Sequence, residues 1–284
     1  MALAVGPGQP RGLQVVVGAD SASARQILAA LRLRFPALVA DDDPGAFEAR
    51  SAPVPVVAIG PVALRLALEA DLKGPLVSVL TSSQTYRQLT QEARPSVTAI
   101  HADASPLAQV QLISALFENR GAVGVLLSDS SAYLERPLRQ AAAQFGLELL
   151  LERVAPSMDV VRSLTRLRGA QVLLAVPDTT LYTAGTLRAI LESTYRRGMP
   201  VIGFSSATVA AGTLATAYCA VDDVVADLLE LLEVMVGQVG TTVPEPRFAR
   251  YWRVAVNESV ARSLGVPVTD RVRQLGHPAS GRSA

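Results

Sequence analysis

The stretch from Val172 to Tyr218 constrains the fold more than any other part of the chain. It opens with an apolar run, Val172 to Val176, the length of a fully buried strand. Pro177 ends the run, and Asp178, Thr179 and Thr180 follow, all favoured at helix N-caps. A helical period comes next. Leu187, Ile190, Leu191 and Thr194 share one face, while Arg188, Glu192 and Arg196 lie off it. Gly198 and Pro200 stand where a helix stops, and a second apolar run, Val201 to Phe204, ends in Ser205 and Ser206. Strand, polar loop, helix and strand make the βαβ unit of an open parallel sheet. Such sheets take ligands at the carboxyl ends of their strands. Here those ends carry hydroxyls and one carboxylate.

The same unit recurs along the chain. Leu13 to Val17 ends at Gly18, and Ser21 or Ser23 caps a helix over 24–33 that Pro36 breaks. Leu38 to Ala40 reads as a strand, followed by an acidic turn of Asp41, Asp42, Asp43 and Pro44. Val54 to Ile59 ends in Gly60 and Pro61, with a helix over 62–72 and Pro61 in its first turn. Leu76 to Leu80 ends in Thr81, Ser82 and Ser83, and a helix through Tyr86 and Leu89 leads to a strand at Val97 to Ile100. His101 to Asp103 reads as a crossover. Helix 107–117, strand 123–127 with the loop Ser128, Asp129, Ser130 and Ser131, a helix ending at Gly146 and strand 147–154 follow. Asp159 caps a helix with Val160, Val161, Leu164 and Leu167 on one face, ended by Gly169. Residues 13–100 and 123–206 thus hold two doubly wound sets. After Tyr218 come a helix over 224–236, an extended linker over 241–246, a strand at 253–256 and a helix over 258–264 ended by Gly265. Residues 269–284, with His277, read as a frayed tail, and 1–12 as a loose leader.

Composition removes several classes of function. The chain has 284 residues, enough for two modest cores, and half of them are hydrophobic, which argues against disorder. No apolar run reaches the length of a membrane span. A net charge of +1 leaves no basic footprint for nucleic acid. Cys219 is the single cysteine, so no intrachain disulfide forms, and its apolar neighbours suit a small core residue. There is no P-loop, no G-x-S-x-G and no His/Cys ligand spacing, and two histidines make an acid–base pair hard to build. The chain reads as a binding protein with no catalytic set, no metal and no cofactor.

What recurs instead is a loop of hydroxyls after each strand: Ser82 and Ser83, Ser128 with Ser130 and Ser131, Thr179 and Thr180, Ser205 and Ser206. Such loops lead into helix N-termini, whose free N–H groups and dipole favour a carboxylate. For any one of them the plain alternative is an N-cap. Tyr86, Tyr133 and Tyr182 each follow a strand end, where an apolar ring with a polar tip suits a cleft wall or lobe-surface packing. Asp178 either receives a ligand amine or caps the following helix. Asp20 and Asp129 are weaker candidates of the same kind, and Arg65 either pairs with a carboxylate or stays solvated.

The order of elements resembles the ABC-transporter substrate-binding proteins of the family that includes the tryptophan/tyrosine receptors. VVAIGPVA (56–63) is similar to the family's strand–Gly–Thr–Pro–Ala turn, VTAIHAD (97–103) to its crossover, and VGVLLSDSSAY (123–133) to the strand that opens the second lobe. AVPDTT (175–180) resembles its Pro-Thr-Asp loop, MPVIGFSSATVAAGTLATAY (199–218) its Pro-Val-Ile-Gly segment, and VAVNESVARSLGVPV (254–268) its closing motif. Pro61 stands where the family has Thr, Ser82 and Ser83 where Asp-Pro is common, and Ala99 where the crossover has Gly. The resemblance implies a type I periplasmic-binding-protein fold, with two Rossmann-like α/β lobes and a ligand cleft between them. Lobe one is expected at 13–100 plus 219–246, lobe two at 101–218 plus 247–268. It also implies a periplasmic location, with a signal segment not visible in this sequence, a small solute such as an amino acid or related carboxylate, and an ABC permease as partner. The residues expected to touch the solute are Gly60, Pro61, Ser82, Ser83, Tyr86, Ser128, Ser130, Tyr133, Asp178, Thr179, Ser205 and Ser206. A sensory or regulatory protein of the same fold is the alternative.

Overall fold

A computed structural model of the chain describes residues 12–41, 47–48, 53–91, 95–118, 121–155, 159–237 and 243–279. In chain order the first segment runs β1 (Gln14–Val17), α1 (Ala22–Arg34), β2 (Val39–Asp41), β3 (Val56–Ile59), α2 (Pro61–Glu69), β4 (Leu76–Val79), α3 (Ser83–Leu89) and β5 (Val97–His101). The second runs α4 (Pro106–Phe117), β6 (Ala122–Leu127), α5 (Glu135–Gln144), β7 (Glu148–Arg153), α6 (Val160–Ser163), β8 (Ala170–Leu174), α7 (Ala184–Tyr195), β9 (Val201–Ile202), α8 (Ser206–Ala210) and β10 (Ala215–Tyr218). The chain closes with α9 (Val221–Gly237), β11 (Arg247–Phe248), β12 (Arg253–Val256), α10 (Glu258–Leu264) and α11 (Asp270–Arg273).

These elements form two compact units, 1–102 with 221–249 and 103–220 with 250–284. In the first, six strands lie in the order β11-β5-β4-β3-β1-β2, all pairs parallel. In the second the order is β12-β10-β9-β8-β6-β7, and only β12 runs antiparallel, against β10. Counted from the first strand of each unit, five strands follow the order 2-1-3-4-5 in both. The order reverses between β1 and β3 in one unit and between β6 and β8 in the other.

The sequence dictates this arrangement through burial. All four positions of β1, β3 and β4 are buried, as are all five of β5 and all six of β6. A strand buried on both faces needs helices on both, which parallel crossovers supply. On one face of the first sheet, Val56, Ala58, Leu76, Val97 and Ala99 meet Ala63, Leu64 and Ala67 of α2 and Tyr86 of α3. Fully burying a side chain such as Leu64 stabilises by about 1.5–3 kcal/mol. α9 packs on α1, with Leu228 and Leu232 fully buried.

Several expectations are corrected. The helix after β8 starts at Ala184, not near 178–180, because Thr183 and Thr186 form a capping box there. The helix expected over 160–167 is one α turn, capped by Asp159 as expected, continued by a 3-10 turn over Leu164–Arg166. Residues 215–218, where the sequence marks no element, form β10 between β9 and β12. β9 is only two residues long, so beyond Ala215 the backbone of β10 lacks a neighbour on that side. The Gln109 amide fills the place, donating to Ala217 O at 2.9 Å and accepting from Ala217 N at 3.0 Å.

Residues 247–248 pair with β5 in the first unit instead of joining the second lobe. Arg247 donates to both carboxylate oxygens of Asp227 in α9, at 2.7 and 2.6 Å, and Asp227 is fully buried. The expected frayed tail is ordered through residue 279. Thr269 caps α11, Val272 is fully buried, and His277 exchanges backbone hydrogen bonds with Trp252. The leader at 1–11, Asp42, Asp43 and Pro44 of the acidic turn, the linker start at 241–242 and residues 280–284 lie outside the described residues.

Gly203, just past β9, has no room for a side chain. A Cβ there would lie 2.0 Å from Thr208 Oγ1 and 2.7 Å from Thr213 Oγ1. We expect Gly203→Ala to destabilise the chain by roughly 1–3 kcal/mol through overpacking. The urea midpoint should fall with little change in slope, and an unchanged midpoint would show that the two threonines swing aside.

Candidate functional site

In the first unit, the strand-order reversal between β1 and β3 is where an open sheet leaves a crevice. Gly60 follows β3 with φ of 92°, a region side chains rarely adopt. Its N–H donates to Val79 O at 2.9 Å, and the N–H of Gly18, after β1, donates to Ile59 O at 3.0 Å. Gly18 passes so close to α2 that a Cβ on it would lie 2.7 Å from Ala63 N. The loop after β1 therefore runs directly against the first turn of α2. That turn has no side-chain cap, because its N-cap is Gly60. By contrast α1, α3, α4, α7, α8 and α10 are capped by Ser21, Ser82, Ser105, Thr183, Ser205 and Asn257. Among the described residues no N-cap side chain accepts from the first-turn N–H groups of α2 at the reversal point. Pro61 and Val62 beside them are exposed, Val62 by 45%.

At the end of β4, Leu80 adopts φ of 55°, an uncommon conformation for a branched residue and a sign of local strain. Ser82 accepts from Thr85 N at 3.2 Å and donates to Thr85 Oγ1 at 2.9 Å, while Ser83 is buried. Tyr86 is not on the strand-end surface. Its ring sits in the core and its hydroxyl donates to Val97 O at 3.4 Å. His101 lies between Tyr86 and Phe248, both ring centroids 5.3 Å away. Burial first, and the nearby Arg87 charge second, push His101 down to about 4 from its ordinary 6.5.

In the second unit the reversal lies between β6 and β8, and Asp178 joins the two loops. The residue is 2% exposed. One oxygen accepts from Ser128 Oγ at 2.5 Å, Ser131 Oγ at 2.6 Å and Ser128 N at 3.4 Å. The other accepts from Thr180 Oγ1 at 2.5 Å, Thr180 N at 2.9 Å and Leu181 N at 3.2 Å. Burial raises its pKa, but the hydroxyls of Ser128, Ser131 and Thr180 and the Thr180 N–H outweigh this, so the group stays below its ordinary value. Ser130 N donates to Ser128 Oγ at 3.1 Å. Asp178 therefore caps its own turn and not α7.

After β9, Ser205 caps α8 in a capping box with Thr208, and Ser206 is exposed at the first helical position. Tyr182 packs against Phe204 with ring centroids 5.8 Å apart. Its hydroxyl is buried without a hydrogen-bond partner among the described residues. Burial, and then the Asp178 charge, push the phenol upward. Tyr133 is half-buried on a 3-10 turn, and Thr179 is exposed.

No protein-family model matches the sequence, and no curated protein is significantly similar to it. Solved structures do match. The ligand-free, open structure of CD0873, a substrate-binding protein with adhesive properties from Clostridium difficile, superposes with a TM-score of 0.64 at 16% identity. That match covers 92% of this chain and 97% of the other. An ABC domain in complex with L-Trp from Streptococcus pneumonia gives 0.60 at 18% identity, covering 93% and 97%. The xylose-binding transcription activator xylR gives 0.54 at 15% identity, covering 93% of this chain and 72% of that one. The fold is that of the type I periplasmic binding proteins.

Within that fold, the structure puts Gly60, Pro61, Ser82 and Ser83 at strand ends of one unit. Ser128, Ser130, Asp178, Thr179, Ser205 and Ser206 are at strand ends of the other. It brings Ser128 onto Asp178 directly. Ser131 and Thr180, the other donors to that carboxylate, stand out less in the sequence, although the hydroxyl density of SDSS and DTT carries the signal. Gly18 and Val62 leave no mark that separates them from other glycines and valines. Among the described residues there is no group of three or more His, Cys, Asp or Glu that could hold a metal ion, and no helix is long and apolar enough to cross a membrane.

Two substitutions follow from this geometry. Asp178→Asn places an NH2 group among donors, so it should cost roughly 1–3 kcal/mol of stability at neutral pH. The native carboxyl has its pKa lowered by folding, so its contribution is present above the unfolded value and is lost as pH falls through the folded one. Melting curves of native protein and variant should stay apart down to the ordinary aspartate range, about pH 4, and draw together only below it. His101 has the opposite chemistry but the same direction. Its folded pKa lies below the unfolded one, so the unfolded state binds the proton first, and stability falls between pH 6.5 and about 4. That loss amounts to about 3 kcal/mol at one pH unit per 1.36 kcal/mol. His101→Phe should flatten this part of the profile, and an equally steep profile in the variant would place the titration elsewhere.

Proposed function

We propose that this chain is a binding protein for a small organic solute, an amino acid or related carboxylate, working outside the cytoplasm as the receptor of an ABC importer. The observation that carries the reading is the duplicated strand order, which gives each unit its own reversal point with glycine, serine or threonine loops around it. Sheets of this kind bind ligands at that point. The first-turn N–H groups of α2, left without a side-chain cap, suit a carboxylate, and the exposed Pro61 and Val62 suit an apolar solute body. The likeness to a structure holding L-Trp supports the amino-acid class.

In this reading Gly60, Ser82, Ser128, Ser130, Thr179, Ser205 and Ser206 offer polar contacts, Pro61 an apolar one and Tyr133 an aromatic one, while the buried Ser83 supports its loop from beneath. Asp178 has both oxygens committed to six donors. It acts by holding Ser128 and Thr180 in place, while Tyr86 acts as support beneath Ser82. The absence of a catalytic set from the sequence favours binding over catalysis. The likeness to a xylose-binding transcription activator favours a second reading, in which solute binding is reported to a regulatory partner instead of a permease.

A thermal-shift screen against amino acids, small carboxylates and purines tests the proposal. A solute at a hundred times its Kd adds about 2.7 kcal/mol to stability, which a melting curve resolves easily. An amino acid or carboxylate should raise the midpoint. Ser82→Ala should weaken its binding less than tenfold, since neighbouring N–H groups remain. If only neutral solutes raise the midpoint, the carboxylate reading falls, and if no class does, so does the solute receptor. Loss of uptake of the same solute on gene deletion separates the importer from the regulator.

A further inference from the structure

The second unit has a cavity that its strand-end loops do not use. It lies at the amino end of β9, where Val201 begins the strand, and has a volume of about 510 Å³. Leu191 of α7, Met199, Val201, Ala211 and Val260 with Leu264 of α10 line it. Met199 and Val201 are buried and form its floor, whereas Leu191, Val260 and Leu264 are only half-buried. Val260 and Leu264 are four residues apart and so share one face of α10. Two helices with apolar faces toward each other normally close to native packing density. Here α7 and α10 present Leu191, Val260 and Leu264 to a gap instead, with Ala211 and Gly212 offering nothing to fill it. A mostly apolar space of this size, open to solvent at its rim, falls in the range of small-molecule sites.

The rim states what else the occupant carries. Glu192, Tyr195 and Arg196 border the opening. Glu192 accepts a hydrogen bond from Arg188 at 3.2 Å, so its charge is matched. The Arg196 guanidinium, exposed one helical turn further on, has no ion-pair partner among the described residues. Arg197 adds a second positive charge, and together they offset the partial negative end of the α7 dipole. Apolar walls below a guanidinium match a molecule with an apolar body and a carboxylate head.

We propose that this cavity is a second ligand site, separate from the strand-end loops, for a small amphipathic organic acid. The acyl or aryl body fills the space between α7 and α10, and the carboxylate pairs with Arg196 by charge-assisted hydrogen bonds. The proposal does not depend on the identity of the solute bound elsewhere.

Titration calorimetry of the full chain with octanoate, and with octanol as the uncharged control, tests it. Octanoate should bind saturably with one-to-one stoichiometry. Arg196→Gln should weaken octanoate about tenfold and leave octanol unchanged. Ala211→Trp, at an exposed position on the wall, should abolish both, and Val260→Phe serves the same purpose should the first variant melt early. Failure of octanoate to saturate overturns the proposal, as does binding that survives both filling variants, which would place the acid at another site. Equal loss of octanoate and octanol in Arg196→Gln overturns the assigned role of the guanidinium.

Discussion

Parallel strands cannot be joined by a hairpin, so each must be followed by a crossover that returns the chain to the starting edge. Everything else in this protein depends on that constraint. It puts the ends of all parallel strands of a unit on one side of its sheet, with the helices that follow them starting there, and only β12 of the second unit ends on the other side. It also makes those ends polar, because a loop leaving a fully buried strand brings unpaired backbone groups with it. The serines and threonines after β4, β6, β8 and β9 answer this need first. Any role in binding is built on residues that the fold already requires there.

Asp178 shows how the requirement is met. A buried carboxylate is costly unless hydrogen-bonded, and this one gathers three hydroxyls and three N–H groups from two loops. Those loops leave strands β6 and β8, which are neighbours in the sheet but separated in sequence by β7 and two crossovers. The acid thus fixes the geometry of the reversal point in its unit. Among its described residues the first unit has no acid holding two strand-end loops in this way, and glycines at 18 and 60 bring the backbones themselves together. The two units solve one problem by charge in one case and by close approach in the other.

The strand and helix pattern was legible because period and punctuation agree: β-branched runs end at Gly, Pro or Ser, and helical faces repeat at three and four residues. The failures have physical causes. Asp178, Thr179 and Thr180 are good cap residues, but the acid turns back on its own loop and Thr183 takes the helix start. Ala215 to Tyr218 is short and carries small residues, so no period marks it as a strand. Its pairing to β12 comes from tertiary context. Tyr86 sits near a strand end in sequence, but its helix turns the ring inward onto β5. The polar tail after Val268 gains order from Val272 and His277, contacts that composition does not reveal. Of the strand-end loops, the hydroxyls were visible, while the role of Gly18 needed the approach of α2.

The pairing of α9 with α1 and of β11 with β5 has a consequence for synthesis. The first unit is not finished when residue 102 leaves the ribosome, because its remaining helix and edge strand lie at 221–249. Until then the side of α1 that meets α9 has no cover, and Asp227 has yet to meet Arg247. The second unit waits still longer, for β12. A growing chain therefore carries both sheets incomplete through most of its translation, with sticky surface exposed to neighbours. Until it docks, α9 also carries Asp223 and Asp227, both buried in the finished fold, in contact with water.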